Sequence, residues 1–117
     1  MTKVPADLSE LRAALLARLE ALRAASESTA ESRRPVELDQ TSVGRLSRVD
    51  AMQVQAMAMA TERNRHEQGR RVESAIQRID AGDYGFCATC DEPIGAGRLA
   101  VDPTIPTCIR CASRAER

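Results

Sequence analysis

The sequence predicts a mainly α protein: a long antiparallel helical hairpin, coiled-coil in character, followed by a small C-terminal module built on four cysteines. Three observations lead there. Alanine, leucine, arginine and glutamate dominate the first 80 residues, a composition that favours helix over sheet. Aromatic residues are nearly absent, with Tyr84 and Phe86 alone and no tryptophan, so a large compact core is not expected. All four cysteines lie between Cys87 and Cys111, as two Cys-x-x-Cys pairs separated by 17 residues.

The first helix is expected from residue 7 to about 30. Asp7 can cap it, and Glu10 three residues later completes a capping-box pattern. Leu8, Leu11, Leu15, Leu19 and Leu22 recur at steps of three and four and build one apolar stripe. The pattern fades in SESTAESRRPVELDQTS. There Pro35 has no backbone N–H and biases Arg34 away from helix, which places a reversal near 34–40.

A second, longer helix ends by Ala81–Gly82. Its apolar positions include Leu46, Val49, Val54, Met57 and Ala60, then Val72, Ile76 and Ile79. Asp39 or Thr41 can cap it, with Gly44 inside at a cost of roughly 1 kcal/mol; Ser47 with Asp50 can cap a later start. Run from about 40 to 80, it spans roughly 60 Å at about 1.5 Å per residue. A turn near residue 37 sets residue i opposite about 74 − i, pairing Leu22 with Met52, Leu15 with Met59 and Leu8 with His66. On that register Met52, Met57 and Met59 are core packing, and His66 is a surface residue. Arg63 with Arg70, and Arg71 with Arg78, lie seven residues apart and share a face, giving a basic band before the cysteines.

Four thiolates at Cys-x2-Cys-x17-Cys-x2-Cys spacing suit a tetrahedral Zn²⁺ held by Cys87, Cys90, Cys108 and Cys111. With every position filled by cysteine, no open coordination site is left for a catalytic water. Iron in a rubredoxin-like site or two labile disulfides are the alternatives. The segment 83–117 has few large apolar residues and needs such a staple to fold. Phe86, Ile94, Leu99, Val101 and Ile105 are the expected cluster beside the metal. Arg98, Arg110 and Arg114 are candidates to offset the −2 charge of a Zn(Cys)₄ centre.

Seventeen basic side chains balance 17 acidic ones, which argues against a protein held on nucleic acid by bulk charge. No run of 18 apolar residues suggests a membrane span, and MTKVPADLSE lacks the apolar segment of a secretory signal. A cytoplasmic monomer is expected, and in a reducing compartment paired cysteines are more often metal ligands than disulfides. No nucleophile–base pair or phosphate loop is legible, so no enzyme is expected.

The stretch RIDAGDYGFCATCDEPIGAGRLAVDPTIPTCIRCASRAER, after a helical hairpin, resembles the DksA/TraR family of bacterial transcription factors. The residues that carry the resemblance are Ile79 to Gly82, the entry Asp83-Tyr84-Gly85-Phe86-Cys87, the turn Pro93-Ile94-Gly95, Arg98-Leu99, Pro103-Thr104 and the four cysteines. It is specific over about 72–112 and looser over the hairpin. It implies binding to RNA polymerase rather than to DNA, with the zinc module and helix base on the rim of the secondary channel. The coiled-coil tip, near 34–42, then enters the channel and places acidic residues near the catalytic centre. Asp39, with Glu37 beside it, matches the family's acidic tip best; a second register puts Asp50 there. Val36 and Thr41, or Ser47 in the second register, depart from the family motif. The rim contact is carried over to Arg63, Arg70, Arg71, Arg78 and Arg98. Some members bind the alarmone ppGpp at a basic pocket. Arg71 keeps one of its cations, but Asp102 and Ala112 replace two others, so little response to ppGpp is expected. A zinc-ribbon nucleic-acid binder and a zinc-stapled helical adaptor are the alternative readings.

Overall fold

The computed structural model describes residues 6–34 and 45–115. Four α-helices follow in order: α1 (Ala6–Ser28), α2 (Arg45–Ala81), α3 (Ala96–Val101) and α4 (Ile109–Ala115), with a 3-10 turn at Ala30–Arg33. Among the described residues there is no strand, only an isolated bridge between Phe86 and Pro93. No described helix is long and apolar enough to cross a membrane. The chain forms two compact units, residues 20–69 and residues 1–19 with 70–117. In each, the segments of α1 and α2 run antiparallel.

In the unit that holds the cysteines, the expected leucine stripe meets the end of α2. Leu15 is 2 % exposed and lies in one cluster with Val72, Ala75, Ile76 and Ile79; Leu11, Leu19 and Tyr84 pack against it. Arg12 grips Asp80 with Nε on Oδ1 at 2.7 Å and Nη2 on Oδ2 at 3.0 Å. That two-point hydrogen bond, with burial opposing and the cation's field assisting, holds the Asp80 carboxyl below the usual carboxylate range.

The other unit is closed by polar groups. Glu62 Oε1 accepts hydrogen bonds from Ser26 Oγ at 2.9 Å and from Arg33 Nη1 and Arg65 Nη1 at 3.2 Å each. Thr29 Oγ1 accepts from the same two guanidinium groups at 3.1 Å and donates to the Ala25 carbonyl. Burial pushes the Glu62 carboxyl up, but its hydroxyl and guanidinium donors outweigh that and hold it low. Nearby, Gln55 Nε2 donates to the Arg34 carbonyl at 2.6 Å.

These contacts correct the expected register. Arg12 lies opposite Asp80 and Ser26 opposite Glu62, so partner numbers add to about 90 rather than 74. Leu15 therefore packs on Val72 and Ile76, not Met59, and Met59 is 44 % exposed. Met52 and Met57, expected in the core, are exposed as well. The physical reason is that the face of α2 turned to α1 in this unit carries Gln55, Ala58, Glu62 and Arg65, all half-buried. Those residues follow a three-four spacing as regular as that of the apolar ones. His66 is exposed, as expected.

Helix ends also moved. α1 begins one residue ahead of Asp7, within the ordinary spread of helix ends. Ser47 lies inside α2 rather than at its cap. Pro35, Glu37, Asp39, Thr41 and Gly44 lie outside the described residues. The C-terminus of α2 falls where expected. Gly82, at φ 82°, takes the left-handed conformation that only glycine adopts without strain. Its N–H and that of Asp83 then donate to the carbonyls of Ile79 (3.2 Å) and Arg78 (2.8 Å), closing a Schellman motif.

Candidate metal centre

Two backbone knuckles build the site. The first runs from Phe86 to Ile94. Cys87 N donates to the Glu92 carbonyl at 2.8 Å, Asp91 N to the Cys87 carbonyl at 2.9 Å, and Ile94 N to the Gly85 carbonyl at 2.9 Å. Asp91 turns the chain at φ 65°, a left-handed position that aspartate enters more readily than most residues. The second knuckle starts α4, where Ala112 N donates to the Cys108 carbonyl at 2.9 Å. Ala88 N reaches across to the Pro106 carbonyl at 2.8 Å and joins the two.

The connection between them is held by side chains. Tyr84 packs its ring on the Leu15 cluster and donates its hydroxyl to the Pro103 carbonyl at 2.8 Å. Thr104, 3 % exposed, donates from both Oγ1 (2.8 Å) and its backbone N (3.0 Å) to Asp102 Oδ1. Arg98 Nε donates to the Thr107 carbonyl at 3.0 Å, one residue before Cys108.

The ligand atoms of Cys87, Cys90, Cys108 and Cys111 all lie within 4.8 Å of one another. Cys90 Sγ and Cys108 Sγ are 3.8 Å apart. Sulfurs at the corners of a tetrahedron around Zn²⁺, at about 2.3 Å from the metal, stand about 3.8 Å apart. The donor set and its spacing therefore fit zinc. Cys87, Cys108 and Cys111 are buried and Cys90 is exposed, so the site reaches the surface at one corner. Thr89 N donates to Cys87 Sγ at 3.4 Å, a contact that supports thiolate character. Burial pushes the Cys87 thiol up, but the backbone N–H groups of Cys108, Cys90 and Thr89, with the Cys111 thiol, outweigh it and bring it to about 6. Burial and the three neighbouring sulfurs push Cys111 up to about 12.

The Glu92 N–H lowers the Cys90 thiol, but burial and the Cys87 and Cys108 sulfurs outweigh it, so Cys90 is raised too. Protons on both Cys111 and Cys90 must therefore leave as metal binds, whereas Cys87 favours the thiolate at pH 7. Apparent zinc affinity is expected to fall by about a hundredfold for each pH unit of acidification, more steeply below about pH 6 as Cys87 also protonates. Chelator competition across pH 6–8 checks this; a flat profile would contradict it.

Ile94 is buried with the cysteines, and Leu99 and Ile105 pack against them, as expected. Val101 corrects the expectation at 86 % exposed, because at the end of the short α3 it lies on an open surface groove beside Ile94 and Ile105 rather than beneath them. Of the basic residues assigned to the rim, Arg63, Arg70 and Arg71 are exposed, while Arg78 and Arg98 are half-buried. Asp50 is exposed on α2. Pro103 is a legible turn former, and the structure closes the turn around it with the bonds from Thr104 to Asp102.

Residues 82–117 match the prokaryotic DksA/TraR C4-type zinc finger. The chain thus carries a module similar to the DksA/TraR C4-type zinc finger over its last 36 residues. Among curated relatives, the RNA polymerase-binding transcription factor DksA of Haemophilus influenzae is 38% identical over 47 residues, 40% of this chain and 32% of that protein. Those of Caulobacter vibrioides and Escherichia coli K12 are 36% and 34% identical over the same length, 33% and 31% of those proteins. The matched region thus spans about a third of each relative. A solved structure of the transcription factor DksA2 from Pseudomonas aeruginosa shares the fold of this chain. Its TM-score is 0.72 at 24% identity, over 95% of this chain and 84% of that one.

Proposed function

We propose that the chain binds RNA polymerase and regulates transcription, with its coiled-coil tip, near residues 34–42, directed into the secondary channel. The observation that carries this reading is the zinc module. It matches the C4 zinc-finger family over residues 82–117, and the relatives similar to the chain over 47 residues bear the name RNA polymerase-binding transcription factor. The fold shared with DksA2 over 95% of the chain supports extending the reading to the hairpin. In this proposal Cys87, Cys90, Cys108 and Cys111 hold the zinc. Arg63, Arg70 and Arg71 offer exposed charge to the channel rim, with Arg78 and Arg98 contributing less because they are half-buried. Glu37, Asp39 and Asp50 are the tip acids that act near the catalytic metal.

A weak response to ppGpp belongs to the same proposal. Burial raises the Asp102 carboxyl, but the N–H and hydroxyl of Thr104, then Arg71 and Arg18, bring it below the usual range. It is thus an anion in the field of Arg71, at the position where the family places a phosphate-binding cation.

The test is co-elution of purified chain with core polymerase together with a defined transcription assay. Binding to polymerase with no shift of naked DNA is the expected result. Asp39→Asn is expected to keep that binding and alter the transcriptional output. Salt-dependent binding of naked DNA without polymerase association would instead favour a nucleic-acid binder.

A further inference from the structure

Arg78 lies in the last turn of α2, and its guanidinium is only partly used. Nη1 donates to Ser74 Oγ at 2.8 Å. Nε and Nη2 are sealed from solvent and have no hydrogen-bond partner among the described residues. These two N–H groups form the side edge of the guanidinium. On Arg12 the same edge grips both oxygens of Asp80. Burial lowers the pKa of Arg78, and the field of Tyr84 opposes that only in part. A cation placed this way loses hydration without gaining an acceptor, so the fold must compensate it by charge from nearby.

The neighbourhood names the source. Arg78 lines a cleft of about 410 Å³ with Asp83, Phe86, Cys87, Ala88 and Asp91. Asp83 and Asp91 are exposed, and no ion pair joins either to Arg78 among the described residues. Water screens such carboxylates, which weakens their pull on a buried group. Cys87, on the inner wall, is 1 % exposed and shares its cluster with Cys108 and Cys111. Four thiolates around Zn²⁺ leave a net charge of −2, held where screening is poor.

We propose that Arg78 is a counter-cation of the zinc centre, acting through space across this cleft, a role the sequence suggested instead for Arg98, Arg110 and Arg114. The geometry has a structural corollary. The Arg78 carbonyl accepts the Asp83 N–H in the turn that ends α2. Metal charge therefore stabilises the residue whose backbone closes that helix, and zinc occupancy and the end of α2 reinforce each other. The inference rests on zinc binding and is independent of the polymerase reading.

The experiment measures zinc dissociation constants of the full chain by chelator competition, at low and high salt, for Arg78→Gln and Arg78→Lys. Supporting residues around metal sites typically contribute 10–100-fold in affinity, so Arg78→Gln is expected to weaken binding about tenfold and Arg78→Lys to stay within about threefold of the native chain. The gap between Gln and Lys should shrink at high salt. Asp83→Asn and Asp91→Asn should leave zinc affinity equal or weaker by less than threefold, since neither holds Arg78. Unchanged zinc affinity in Arg78→Gln would overturn the proposal. So would an equal loss in Arg78→Lys, which would point to guanidinium shape rather than charge. If Arg78→Gln does not fold with zinc present, as read by circular dichroism, Arg78→Lys decides alone: retention supports the proposal and a tenfold loss removes it.

Discussion

Stripping the metal with a strong chelator is expected to unfold residues 83–115 while α1 and α2 stay helical. The cluster inside this module consists of three cysteines and Ile94, with Leu99 and Ile105 beside them. Its helices, α3 and α4, hold 6 and 7 residues, too short to persist unsupported. Metal binding is then folding free energy for this part of the chain. The Leu15 cluster shares no buried residue with the cysteine cluster, and Tyr84 reaches from it to the Pro103 carbonyl by a single hydrogen bond. Hydrogen exchange should therefore show protection lost across 83–115 and kept over 11–19 and 72–79. Cys108→Ser should reproduce the pattern without chelator. Protection that survives complete metal loss would refute the structural role of zinc.

Leu15→Ala is expected to cost about 3 kcal/mol, since a buried leucine loses both transfer energy and packing when truncated. For a chain of this size that lowers the melting midpoint by about 12 °C, at about 4 °C per kcal/mol. Met57→Ala, at a position 70 % exposed, should change stability by no more than about 0.5 kcal/mol. The register can be read directly from double-mutant cycles. Leu15 with Ile76 should couple by about 1 kcal/mol, and Leu15 with Met59 should not couple measurably. Coupling of Leu15 to Met59 would restore the shorter register and displace the one described.

The zinc ligands and the end of α2 were readable because each rests on local chemistry. Cys-x-x-Cys spacing constrains a turn, and glycine at 82 marks a helix end whatever surrounds it. The leucine stripe of α1 was readable for the same reason, through period alone. Pairing between the helices was not. It depended on the point about which the two helices count, and residue pairs taken to add to 74 add instead to about 90. Apolar patterning then misled, because Met52, Met57 and Met59 look like core while Gln55, Glu62 and Arg65 look like surface. Only the partners across the interface, Ser26, Thr29 and Arg33, turn those charges into an interior. Arg78 was legible as a cation but not as one deprived of acceptors, since burial of two particular nitrogens is set by tertiary contacts.

The knot of hydroxyls and charges around Glu62 acts as a locating pin. Leucines slid by one heptad meet other leucines and lose little, so an oily interface alone would let two rods creep past each other. A carboxylate oxygen that accepts from Ser26 and Arg33 has no second address along the neighbouring rod, and any slippage strands it with Arg65 of its own helix alone. The pairing of α1 with α2 in this unit is thereby metered in whole residues, like a ruler with one tooth cut to fit.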